Sequence, residues 1–152
     1  MCCLAKALPV SEVDISCLGH ATEDEAKVLD AVRRVLPQAV AESIVFKKTK
    51  ADGHHGNPIV VFEARIMDKN MVKAFVENMA SNLSALDKET LLNEAEKHIE
   101  KSNFYVRLDK QAAFQGEFKL AIADPIRVRL RLRKSRFEDV VEICRGIGML
   151  PQ

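Results

Sequence analysis

Ile126-Arg127-Val128-Arg129-Leu130-Arg131-Leu132-Arg133-Lys134 is the stretch on which the fold turns. Its apolar residues, Ile126, Val128, Leu130 and Leu132, alternate strictly with Arg127, Arg129, Arg131 and Arg133. A β-strand sends successive side chains to opposite faces, so the segment predicts a strand with one apolar side and one side made only of guanidinium groups. Arginines two residues apart stand about 7 Å apart along a strand. That is close to the separation of successive phosphates, and guanidinium groups hold phosphate oxygens bidentately. The same pattern fits an amphipathic strand whose arginines pair with Asp and Glu on neighbouring strands. In the first case the arginines form a surface for a polyanion; in the second they hold the sheet together.

Upstream, Asp124-Pro125 turns the chain into this strand, and Glu117 to Ile122 predicts another, reached through the connection Asp109 to Gly116. Phe104 to Leu108 alternates as a strand, with Asn103 breaking the pattern before it. Downstream, Ser135 or Arg136 opens a last helix with Phe137, Val140, Val141 and Cys144 inward, ended by Gly146 and Gly148. Nearer the start, Ser11 to His20 predicts a strand, and Thr22 with Glu25 a capping box for a helix that Pro37 closes. Glu42 to Lys50 and Ile59 to Met67 predict a hairpin around the turn-rich tip Ala51 to Pro58, where Gly53 or Gly56 should take a positive φ. Asp68 caps a helix through Phe75 and Met79, and a second helix begins near Ser84 or Asp87 with an acidic outer face (Glu89, Glu94, Glu96, Glu100). Strands and helices in this mixed order predict a single α+β domain over residues 11–152. A largely antiparallel sheet carries helices on one face and leaves the other polar. Residues 1–10 are expected to form a flexible lead-in.

With 47% hydrophobic and 30% charged residues, composition fits a globular domain, and no apolar run approaches the ~20 residues of a membrane span. Cys2, Cys3, Cys17 and Cys144 show no metal-finger spacing, which makes a reducing, cytoplasmic setting the default. The net charge of +1 conceals an asymmetry: residues 1–100 hold 12 Lys/Arg against 16 Asp/Glu, residues 101–152 hold 11 against 6. Distribution, not total charge, is what would attract a polyanion.

His54-His55 beside Asp52 invites a metal reading, but adjacent histidines point apart and no further Cys or His ligand stands nearby. A loop role follows, in which imidazoles bracketed by Gly53 and Gly56 hydrogen-bond a phosphate or stack on a base. No paired-carboxylate motif, Gly-rich phosphate loop or nucleophile elbow is present, so neither an enzyme nor a cofactor is expected. The candidate RNA contacts are Lys47, Lys48, Lys50, His54, His55, Lys110, Arg127, Arg129, Arg131 and Arg133.

Three separated motifs, Gly19 to Glu25 (GHATEDE), Gly53 to Pro58 (GHHGNP) and Arg107 to Ala113 (RLDKQAA), resemble the signatures of an archaeal family described as predicted RNA-binding, exosome-associated proteins. The resemblance covers nearly all the chain after Ser11. It implies an α+β fold similar to the large-subunit ribosomal protein five family, RNA as partner, and exosome or ribosome-related proteins as further partners. It brings no catalytic residues. The alternative is a protein–protein interaction module or homodimer that uses the arginine face, pairing it with acids such as Glu63.

Overall fold

The computed structural model describes residues 9–53 and 56–152, so most of the expected lead-in and the pair His54-His55 lie outside the described residues. Along the chain the elements are β1 (Val10–His20), α1 (Glu25–Arg34), α2 (Gln38–Ser43), β2 (Lys47–Asp52), β3 (Pro58–Ile66), α3 (Lys69–Asn82), α4 (Ala85–Asn93), α5 (Ala95–His98), β4 (Ile99–Glu100), β5 (Asn103–Asp109), α6 (Lys110–Phe114), β6 (Pro125–Leu132) and α7 (Phe137–Gly146).

The strands form one antiparallel sheet in the order β2-β3-β1-β6-β5-β4. Strict alternation carries through. Ile126, Val128, Leu130 and Leu132 of β6 are buried, as are Val13, Ile15 and Cys17 of β1, Phe62, Ala64 and Ile66 of β3, and Phe104, Val106 and Leu108 of β5. They join Val28 and Val32 of α1, Phe75 and Met79 of α3, Leu91 of α4 and Val140 of α7 in one hydrophobic cluster. Each fully buried large apolar side chain contributes roughly 1.5–3 kcal/mol, which is why the helices collect on that side. The α+β class with helices on one face is therefore the observed architecture. Burial pushes the Cys17 thiol to about 11 and the Cys144 thiol to about 12, so both stay protonated and unreactive at neutral pH.

Several boundaries differ from expectation, each for a local reason. The cap of α1 is Asp24, not Thr22: its carboxylate accepts from the Ala26 N–H at 2.9 Å. Glu23, not Glu25, reaches back, accepting from the His20 N–H at 3.0 Å, because the chain makes a tight turn on leaving β1. Pro37 does not simply end a helix; it starts α2, where its missing N–H is not needed, and β2 begins only at Lys47. Asp109 to Gly116 contains α6, with the Asp109 side chain accepting from the Ala112 N–H at 2.9 Å. Glu117 to Ile122 is not a strand. It lies between Gly116 (φ 73°) and Asp124 (φ 47°), both turned into the left-handed region, and makes only a bridge from Leu120 to Leu108. Phe137 is 41% exposed instead of inward. In the hairpin tip Gly56 has φ 76°, the conformation expected of one of its glycines.

Candidate nucleic-acid interface

The side chains of opposite parity form the uncovered face, and register sorts them into bands along β1. In the first band Glu12 stands opposite Arg131, and Asp14 lies between Arg65 of β3 and Arg129 of β6. These charges are closed on one another. Arg65 meets Asp14 at 2.8 Å and Glu12 at 3.5 Å, Arg131 meets Glu12 at 3.0 Å, and Arg129 pairs with Asp14. The hydrogen bond that Arg65 donates to Asp14 holds its guanidinium even more firmly in the charged form.

The second band is centred on Ser16, and it reads across the sheet as Lys47, Glu63, Ser16, Arg127 and Arg107. Arg107 and Arg127 are directly opposite one another, both are exposed, and neither makes an ion pair among the described residues. Two like charges in register repel. Lys47 faces Glu63 without closing an ion pair. Tyr105 follows beside Arg129, and Val45, 83% exposed, sits at the margin. Lys47, Glu63, Ser16, Arg127, Tyr105 and Val45 line an open trough of about 750 Å³ that also takes in Asp14, Arg65 and Arg129 of the first band.

The third band closes the end of β1. The Lys110 side chain is 2% exposed, and its ammonium donates to the Leu18 carbonyl at 2.7 Å, to Asp124 at 2.9 Å and to Glu23 at 3.2 Å. His20 Nε2 lies 3.0 Å from Asp124 Oδ1. Burial raises the Asp124 carboxyl, but hydrogen bonds from Lys110 and His20 outweigh it and hold the group below its ordinary value. Donor atoms of His20, Glu23 and Asp124 lie within 4.8 Å of one another, a spacing a metal ion could use, yet the Lys110 ammonium already stands among these carboxylates as their cation.

The sequence-derived candidates are thus divided. Arg127, Arg129 and Arg131 share the open face; Arg133 lies just past the end of β6. Lys47 joins them, but Lys48 and Lys50 point to the other side, where Lys48 pairs with Glu25 of α1 at 2.7 Å. Adjacent strand residues always point apart, so that signal is present in the sequence. Lys110 is buried and internally satisfied, which removes it from any surface a phosphate reaches. His54 and His55 fall outside the described residues. Arg107 is legible from sequence as a polar-face residue of its strand, and register places it opposite Arg127. His20, Glu23 and Asp124 are not among the candidates read from sequence, and only long-range contacts bring them in.

Fold and face define a class: an α+β protein that covers one side of an antiparallel sheet with helices and presents the other, cation-rich, to solvent. A family model described as RNA binding matches residues 12–132, and the chain belongs to that family. It is 34% identical over 133 residues to the RNA-binding protein PAB1135 of Pyrococcus abyssi, covering 86% of each chain. It is also 32% identical to the uncharacterized protein MJ0213 of Methanocaldococcus jannaschii, covering 77% of this chain and 80% of that one. Among solved structures it superimposes on protein AF2318 of Archaeglobus fulgidus with a TM-score of 0.80 and 32% identity, covering 91% of this chain and 99% of that one. The DUF54 protein Mth689 of Methanothermobacter thermautotrophicus gives 0.75 at 27% identity, with 91% and 97% covered.

Proposed function

We propose that the chain is a non-catalytic RNA-binding protein of archaeal RNA processing or decay, and that it holds RNA on the open sheet face. Arg107, Arg127 and Lys47 take phosphates in this reading, with Arg129, Arg131 and Arg133 flanking them. The observation that carries it is the Arg107–Arg127 pair. Side by side, with neither making an ion pair among the described residues, the two guanidiniums oppose folding, and they become favourable once a polyanion lies across both. Family membership and the named RNA-binding relative support the same reading. Exosome association, ribosome-related work, kinship with the ribosomal protein five fold and a cytoplasmic setting complete the proposal, and rest on the sequence resemblance. The assignment of His54 and His55 to an RNA-contacting loop rests on the glycine-bracketed, turn-rich sequence of the hairpin tip.

Purification tests the proposal against the homodimer reading, in which exposed Glu63 of one copy meets Arg127 of another. Nucleic acid that co-purifies at low salt and is removed by ribonuclease supports RNA binding. A dimer free of nucleic acid, turned monomeric by Glu63→Lys, overturns it.

A further inference from the structure

The trough does not end at Arg127. A second hollow, lined by Ser16, Leu18, His20, Asp124 and Arg127, continues from it along β1. A third begins at His20 and runs to the hairpin tip at Gly53 and Asn57. Ser16 and His20 are four strand positions apart, about 13 Å, so a chain lying on Arg127 passes His20. Chemistry changes along this track. Around Arg127 the groups are cationic; around His20 two carboxylates and one buried ammonium make a surface unsuited to another phosphate.

His20 is 44% exposed, and its Nε2 faces the Asp124 carboxylate. A carboxylate only accepts, so neutral His20 places its proton on Nε2, and Nδ1 is left as a bare acceptor with no partner among the described residues. Lys110 fixes Asp124 from behind at 2.9 Å, which fixes the ring in turn. An oriented acceptor next to a phosphate site fits a neutral hydroxyl donor, and in a nucleic acid that is the ribose 2′-hydroxyl.

We infer that His20, held by Asp124 and Lys110, is a ribose subsite that accepts a hydrogen bond from the 2′-hydroxyl of RNA threaded past Arg127. The inference rests on the sheet-face reading above. It makes the chain discriminate RNA from DNA, while the arginines alone do not.

The test measures binding of fluorescent oligouridylate, oligodeoxyuridylate and 2′-O-methyl oligouridylate of equal length at low salt and mildly alkaline pH. The unmodified RNA should bind roughly five- to tenfold tighter than the other two, the size of one hydrogen bond. His20→Ala should bring RNA down to the DNA level and leave DNA binding unchanged. Arg127→Gln should weaken all three alike. Because the comparison of ligands uses the unaltered protein, it stands even where a variant fails to fold. Equal binding of RNA and DNA overturns the subsite and leaves the sheet face standing. A 2′-O-methyl strand that binds like RNA also overturns it, since recognition is then of sugar shape. No binding of any strand overturns the sheet-face reading itself.

Discussion

The Glu12–Asp14 band and the Ser16 band of the open face carry the same kinds of side chain in opposite states. In the first, Arg65, Arg129 and Arg131 are closed on two carboxylates. In the second, Arg107 and Arg127 stand together and neither makes an ion pair among the described residues, Glu63 lying on the far side of Ser16. A row of arginines that is uniform in sequence thus divides in space, because β1 supplies Glu12 and Asp14 at one level and Ser16 at the next. Cations in the first band stabilise the chain. Those in the second are available to a partner.

At the far end of β1, where the Lys110 ammonium is buried, the largest effect is expected. Lys110→Met strips Glu23 and Asp124 of their cation and should lower stability by about 1.5–3 kcal/mol, the size of a hydrogen bond to a charged group, since the carboxylates themselves are 24% and 40% exposed. Chemical denaturation measures this, and an unchanged midpoint would show that the cluster contributes nothing. Next comes a contrast within β6. Arg129→Gln leaves Asp14 with one partner fewer and should cost about 0.2–1 kcal/mol, whereas Arg127→Gln relieves repulsion and should cost nothing. Equal losses would erase the distinction between the bands.

A smaller effect follows from acid. Folded Asp124 titrates below its ordinary value of 3.8, so its contribution to stability is present above that pH and is lost as pH falls through the lower folded value. Asp124→Asn should therefore show a shallower loss of stability below pH 3.8 than the parent, in denaturant midpoints recorded across that range. Parallel curves would mean that Lys110 and His20 do not hold the carboxylate.

Strand parity was legible because alternation is local: Ile126 to Leu132 had to bury one side. What alternation cannot say is which residue lies opposite which. Asp14 and Arg129 are 115 positions apart, His20 and Asp124 are 104 apart, and nothing local links either pair. Register alone separates Arg127 from Arg129. The strand expected over Glu117 to Ile122 failed for a different reason. Its residues fit a strand, but the turns at Gly116 and Asp124 leave room for only a bridge at Leu120. Lys110 reads from sequence as an RNA contact because the carboxylates that surround it lie outside its own segment, Glu23 87 positions and Asp124 14 positions away.

The central claim is that uncompensated cations of the Ser16 band hold phosphates, and the salt dependence of RNA binding tests it most directly. For a single strand, log K falls with log salt by about 0.7 per phosphate neutralised. Arg107→Gln with Arg127→Gln should flatten the slope by about 1.4, while Arg129→Gln with Arg131→Gln should change it far less. Equal flattening by both pairs, or by neither, would contradict the account.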